Sequence, residues 1–249
     1  MIDSGSQIVN AIIGGAVMSV TTSLHLLLKG KITGMSGAIF NVIHNEDIKY
    51  NGVLILGMIS IAAIIKIFSP NSSVFFESTE VYHSDLSFIG YIISGFLVGF
   101  GSKLGNGCTS GHGVCGLPRF SKRSIVAIIE FMIFGISMAT IRKKYPFLQD
   151  DFLSKIIPTI ELSIINYIVL FSSIGLVLMI IIIELSNKKY DKILDYCIAY
   201  SVGFAFGYGL IQSGMVNRHL VLNFLAISSS WNITLLFVLA TAVISFSLI

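Results

Sequence analysis

Ile174-Gly175-Leu176-Val177-Leu178-Met179-Ile180-Ile181-Ile182-Ile183 closes an apolar run over 160–183, and its reading decides the fold class. A bilayer core about 30 Å thick takes roughly 20 apolar residues in a helix. Barrel strands would alternate apolar and polar residues in short pieces, whereas this run is continuous, so it reads as a membrane helix. Working outward, six further runs read the same way: 7–28, 52–68, 88–102, 124–141, 196–212 and 233–249. The expected fold is an all-α integral membrane protein, a polytopic bundle of about seven spans with re-entrant loops and an internal repeat.

Composition agrees. Charged residues are 12% of the 249 and hydrophobic residues 54%, against about 25% charged in a soluble domain. A net charge of +3 without a basic, aromatic-interleaved stripe excludes nucleic acid as a partner. Three cysteines are too few, and an odd number, for a disulfide scaffold. The first span carries Asp3 and is too long for a cleaved leader. Lys29, Lys31 and Lys49 on one side, with the acidic 69–87 connection (Glu77, Glu80, Asp85) on the other, follow the positive-inside rule. Arg119, Lys122 and Arg123 precede the span at 124–141 and Arg142, Lys143 and Lys144 follow it, so charge alternation alone does not orient the bundle.

Three stretches break the apolar pattern: Ile32–Ala38 (ITGMSGA), Gly105–Gly116 (GNGCTSGHGVCG) and Gln212–Asn217 (QSGMVN). Irregular backbone at membrane depth survives where protein or a polar cavity satisfies its amides, and such breaks point to a transporter's binding site. Thr33-Gly34-Met35-Ser36 can be laid on Ser213-Gly214-Met215-Val216, each leading into a short amphipathic run, 38–43 and 220–225. The reading is one transmembrane domain over 1–249, with a first repeat at about 7–142 and an incomplete second at about 195–249. A second cysteine loop, spaced like the first, would fall near position 288, so a partner chain or a longer gene is expected to supply it.

Five glycines between Gly105 and Gly116 free the backbone to approach a ligand closely. Thr109, Ser110, the amides of Gly111 and its neighbours, the thiols of Cys108 and Cys115, and His112 supply donors. Donors beside helix ends suit a small anion, to which Lys103 would add a charge. Thiol donors favour a soft, sulfur-containing anion. Cys108, His112 and Cys115 could instead hold a metal, but a structural zinc wants four ligands. The same residues could also form a Cys108–Cys115 disulfide or a plain helix-packing loop.

The run from Gly105 to Arg119, followed by Ser121-Lys122-Arg123-Ser124, resembles the signature of the YeeE/YedE family of sulfur-transport membrane proteins. Ile32–Gly37 and Ser213–Asn217 resemble that family's other segments. The resemblance, over roughly 30–220, implies a pseudo-symmetric helical bundle passing thiosulfate or a related compound across a bacterial-type inner membrane, or an organelle membrane in a eukaryote, with Cys108 as the central thiol. This chain departs from the family pattern at Lys103 (commonly Arg), at Asn217-Arg218 (commonly Asn-Pro), and in lacking cysteines near Thr33 and Gly214.

Among lone residues, Glu130 inside a span reads as a proton-coupling or gating acid, as a carboxyl bonded to a neighbouring helix, or as a protonated one. His25 reads as a satisfied helix contact, His44, His83 and His219 as interfacial, Cys197 as a small buried hydrophobe, and Arg218 as an anion attractor or a snorkelling side chain. The expected function is a transporter or channel, not an enzyme. It needs no cofactor or metal, and its partners are the lipid bilayer, a small sulfur-containing anion such as thiosulfate, and another copy or a companion chain. Cys108, Thr109, Ser110, Gly111, His112, Cys115 and Lys103 are expected to recognise the anion. Gly34, Met35, Ser36 and Gly37, facing Gly214 and Met215, are expected to form the constriction. Two different functions also fit these residues: a membrane sulfur enzyme with Cys108 as nucleophile and His112 as base, and a pore subunit that completes another chain.

Overall fold

The computed structural model describes residues 4–68, 87–145, 162–186, 188, 190–226 and 231–249. The 69–86 part of the acidic connection, with Glu77, Glu80, His83 and Asp85, lies outside them, as does 146–161. The elements in order are α1 (Ser4–Lys29), α2 (Met35–Ile43), α3 (Ile48–Phe68), α4 (Phe88–Leu104), a π-wound segment (Ser110–Gly116), α5 (Lys122–Lys144), α6 (Leu162–Ser186), α7 (Tyr190–Gln212), α8 (Arg218–Leu225) and α9 (Thr234–Ser247). Each of the seven expected runs forms a helix, and the protein is an all-α, multi-pass membrane protein.

Among the described residues, five helices are long and apolar enough to cross a bilayer: α1, α3, α5, α6 and α7. The other two are shorter than their role as full spans requires, with 17 residues in α4 and 14 in α9. At 1.5 Å per residue these reach only about 25 and 21 Å. Ser87 caps α4, its side chain accepting from the Gly90 amide at 3.1 Å, a bond typically worth about 1 kcal/mol. The amphipathic runs after the two Gly-Met breaks are the short helices α2 and α8.

Between apolar helices in lipid there is no hydrophobic driving force, so close packing by small residues and a few hydrogen bonds must hold the bundle. α7 is its spine. A Cβ on Gly203 would run into the Leu54 carbonyl, which is why α3 lies so close against α7. Along that seam Leu54 meets Gly203 and Ile61 meets Gly207, so the two helices run in the same direction. Against α1 the order is reversed: Gly14 meets Ser213, Met18 meets Gly209, and Lys29 pairs with Asp195. Ser60 bonds Ser173 at 2.9 Å and Lys49 pairs with Glu184, which sets α6 antiparallel to α3. An interhelical bond of the serine kind contributes about 0.6 kcal/mol, so it registers the helices more than it binds them. α9 closes the other side of α1, with Val238 and Thr241 against Gly15.

These pairings gather Lys29, Lys31 and Lys49 at one end of the bundle, with Asp47, Glu184 and Asp195 as their partners. Two lone-residue expectations are corrected. Cys197 is exposed on α7 rather than buried. Glu130 is exposed on α5 among the outward-facing Val126, Ile129, Ile133 and Phe134, so among the described residues it is not a carboxyl bonded to a neighbouring helix.

Candidate functional site

At the lysine-rich end a cavity of about 670 Å³ opens between the Ile32–Ala38 break and the cysteine loop. The two breaks touch: a Cβ on Gly34 would lie 3.8 Å from the Gly111 Cα, and the reverse holds as well. Ser110 is the link, its hydroxyl accepting from the Met35 amide at 3.4 Å and bonding the Cys108 thiol at 3.0 Å. Ser36 reaches the same sulfur from α2. Cys108 sits in the connection that precedes the π-wound segment, outside any spanning helix. Burial alone would raise its pKa, but the bonds from Ser110 and Ser36 and from the Ser36 and Gly111 backbone outweigh it and bring the thiol down to about 7. Groups that stabilise a thiolate are the groups that would stabilise a bound anion.

The π winding widens the turn after Cys108. The Leu117 amide donates to the His112 carbonyl at 2.9 Å, five residues back. His112 is thereby turned inward and buried, with Nδ1 on the Ser124 hydroxyl at 3.0 Å and Nε2 donating to the Gly105 carbonyl at 3.3 Å. Gly107, at φ +153°, lets the chain pass over the imidazole, since a Cβ there would lie 2.7 Å from Nε2. Arg123 donates to the same Gly105 carbonyl at 3.3 Å and faces the Asn106 side chain. On the opposite wall His25 is bonded at 2.6 Å to both Thr33 and Tyr50.

Of the residues expected to bind, Cys108, Gly111, His112, Gly34, Ser36 and Gly37 line this cavity. Ser110 stands behind Cys108 as its partner, and Met35 packs into the apolar core. Cys115 is buried behind the wall, its thiol donating to the Thr33 carbonyl at 3.9 Å. Cys108 and Cys115 are free thiols, not a disulfide. Thr109 is exposed and off the cavity wall.

Lys103 does not face the cavity; its ammonium lies 3.5 Å over the Phe40 ring. The positive charge comes instead from Lys31, Arg119 and Arg123, with Asp47 as the carboxylate on the wall. Gly214 and Met215 do not line the cavity either. Gly14, which abuts Ser213, lies eleven residues before His25 on α1, or about 16 Å along the helix. The cavity wall also holds His25, Lys31, Tyr50, Arg119, Arg123 and Ser124, which are not among the residues expected to bind. The signal for three of them was their place in or just after the cysteine-loop signature.

Residues 5–138 match the family described as sulphur transport, and residues 194–249 match a family of unknown function. Two proteins of Xylella fastidiosa, strains Temecula1 and 9a5c, each named a probable transporter, are 35% identical to this chain over 134 and 138 residues. Those alignments cover 54% of this chain and 94% of each relative. Another probable transporter of strain Temecula1 is 42% identical over 57 residues, which is 22% of this chain and 38% of that protein. No solved structure matches the chain.

Proposed function

Because the chain belongs to the sulphur-transport family, we propose that this membrane transporter carries a small sulfur-containing anion, thiosulfate first, through the cavity at Cys108. One observation carries the reading. A thiol with hydroxyl and amide donors around it forms the wall of a cavity ringed by Lys31, Arg119 and Arg123. The cations draw an anion in. Its hydration shell is then replaced by donors: the Cys108 S–H, the Ser36 hydroxyl and the amides of the two Gly-rich breaks. Bonds to a charged acceptor are the stronger kind, and they offset the cost of removing the ion from water. Weak S–H donors also let the ion leave.

The enzyme reading fits less well. A cysteine nucleophile needs a base within hydrogen-bond reach, and both ring nitrogens of His112 are engaged elsewhere, with Ser124 and Gly105. The transport reading extends to an inverted repeat in the inner membrane, with α7, α8 and α9 answering α1, α2 and α3. The antiparallel pairing of α1 with α7 supports it. In this reading another copy or a companion chain completes the path. Two relatives of one strain that align with different lengths of this chain favour the companion.

The test is thiosulfate uptake by cells lacking their own uptake route, expressing the native chain or Cys108→Ala. Uptake by the native chain, lost in the variant, is the expected result. Equal uptake by both would overturn the role of the thiol, and inserted protein that takes up no thiosulfate would overturn transport by this chain alone.

A further inference from the structure

We propose that the anion's path beyond the cavity runs along the edge of α1 that carries Ser19 and Ser23, whose hydroxyls act as its next donors. The proposal rests on the transport reading above. Ser19 is 0% and Ser23 3% exposed, and among the described residues neither hydroxyl has a hydrogen-bond partner. A serine or threonine inside a helix has a ready acceptor in the carbonyl one turn back. On the same helix Thr21 bonds the Val17 carbonyl at 2.7 Å and Thr22 the Met18 carbonyl at 2.9 Å. Ser60, Ser137 and Ser201 do the same on other helices. Ser19 and Ser23 depart from that habit in a place where water is scarce and an unmade bond is costly.

Their position gives the departure a use. They are four residues apart, so they share one side of α1 and are separated by about 6 Å along its axis. Gly15, against Val238 of α9, lies one turn before Ser19 on the same side, and Thr22, whose hydroxyl reaches the Cys115 thiol, is their neighbour around the helix. The cavity wall includes Thr33, Cys108 and Gly116, and Cys115 is buried behind it with its thiol on the Thr33 carbonyl. Cys115 and Thr22, then Ser23 and Ser19, are therefore polar groups that lie beyond Cys108 on the way to the far end of α1. At that end the Gln212 amide donates to Asn10 at 3.0 Å. Donors not committed to the backbone suit an ion in passage, because binding at each step must be strong enough to enter and weak enough to leave.

The experiment uses the full chain with Ser19→Ala and Ser23→Ala together. It measures thiosulfate uptake, protection of Cys108 from alkylation by thiosulfate, and thermal unfolding in detergent. The expected result is unchanged protection, uptake lowered tenfold or more, and an unfolding temperature equal to or above that of the native chain. Ser19→Cys with Ser23→Cys, which restores donors, should recover uptake. Uptake within twofold of native, with protection intact, would overturn the path. Failure of thiosulfate to protect Cys108 in the native chain would overturn the transport reading itself. If the alanine pair does not reach the membrane, slowed alkylation of the cysteines placed at 19 and 23 in the presence of thiosulfate supports the path, and unaltered alkylation overturns it.

Discussion

Replacing Gly107 with alanine should dismantle the cysteine loop while leaving the bundle intact. The residue sits at φ +153°, and an added Cβ would lie 2.7 Å from Nε2 and 3.0 Å from Cδ2 of His112. The backbone strain costs about 1–3 kcal/mol. The ring has no free direction to move, because Ser124 holds Nδ1 and the Gly105 carbonyl accepts from Nε2. Displacing it forfeits at least one of those bonds, about 1 kcal/mol more. The sum, about 2–4 kcal/mol, lowers the population of the intact loop some thirty- to seven-hundred-fold at 1.4 kcal/mol per decade. The assay is the thiosulfate concentration that half-protects Cys108 from alkylation, which should rise by that factor, with uptake falling in parallel. Gly95→Ala on α4 is the control, since a Cβ there meets no heavy atom within 4 Å. Native half-protection in Gly107→Ala would refute the argument that the passage over His112 sets the position of Cys108.

Alkylation of Cys108 should rise through a midpoint at about pH 7, below the ordinary thiol range near 8.5. The thiolate is the reactive form, so the rate climbs as pH rises through the lowered pKa, and Ser110→Ala should move the midpoint upward. Lys103→Ala should leave the KM for thiosulfate within twofold, because that ammonium lies over Phe40. Arg119→Ala should raise KM severalfold by removing a charge from the cavity wall, and equal effects from the two would contradict the assignment of the charges.

The helices and the cysteine loop were legible in the sequence because both are local properties. A run such as Ile180–Ile183 has no environment open to it but lipid or a core, and the Gly-, Ser- and Cys-rich Gly105–Gly116 stretch could not continue a membrane helix in the ordinary way. Local composition also marked the two Gly-Met breaks, each of which does lead into a short helix. What it did not show is which breaks meet. Gly34 against Gly111, and Cys115 against a Thr33 carbonyl 82 residues away, are products of packing, which places distant segments side by side.

The charges were misread for a related reason. Each helical residue turns the side-chain direction by about 100°, so Lys103, near the loop in sequence, points to Phe40, while Lys31, Arg119 and Arg123 reach the cavity from other elements. Gly214 and Met215 looked like a facing constriction because their residues echo Gly34 and Met35, yet the antiparallel course of α1 and α7 carries them toward the opposite end. Composition and periodicity determined that this chain lives in a membrane and marked the Gly- and Cys-rich loop whose Cys108, Gly111 and His112 line the cavity. The direction in which each helix runs, and the face it turns inward, decided which residues share the site, because those depend on contacts between segments that no local pattern encodes.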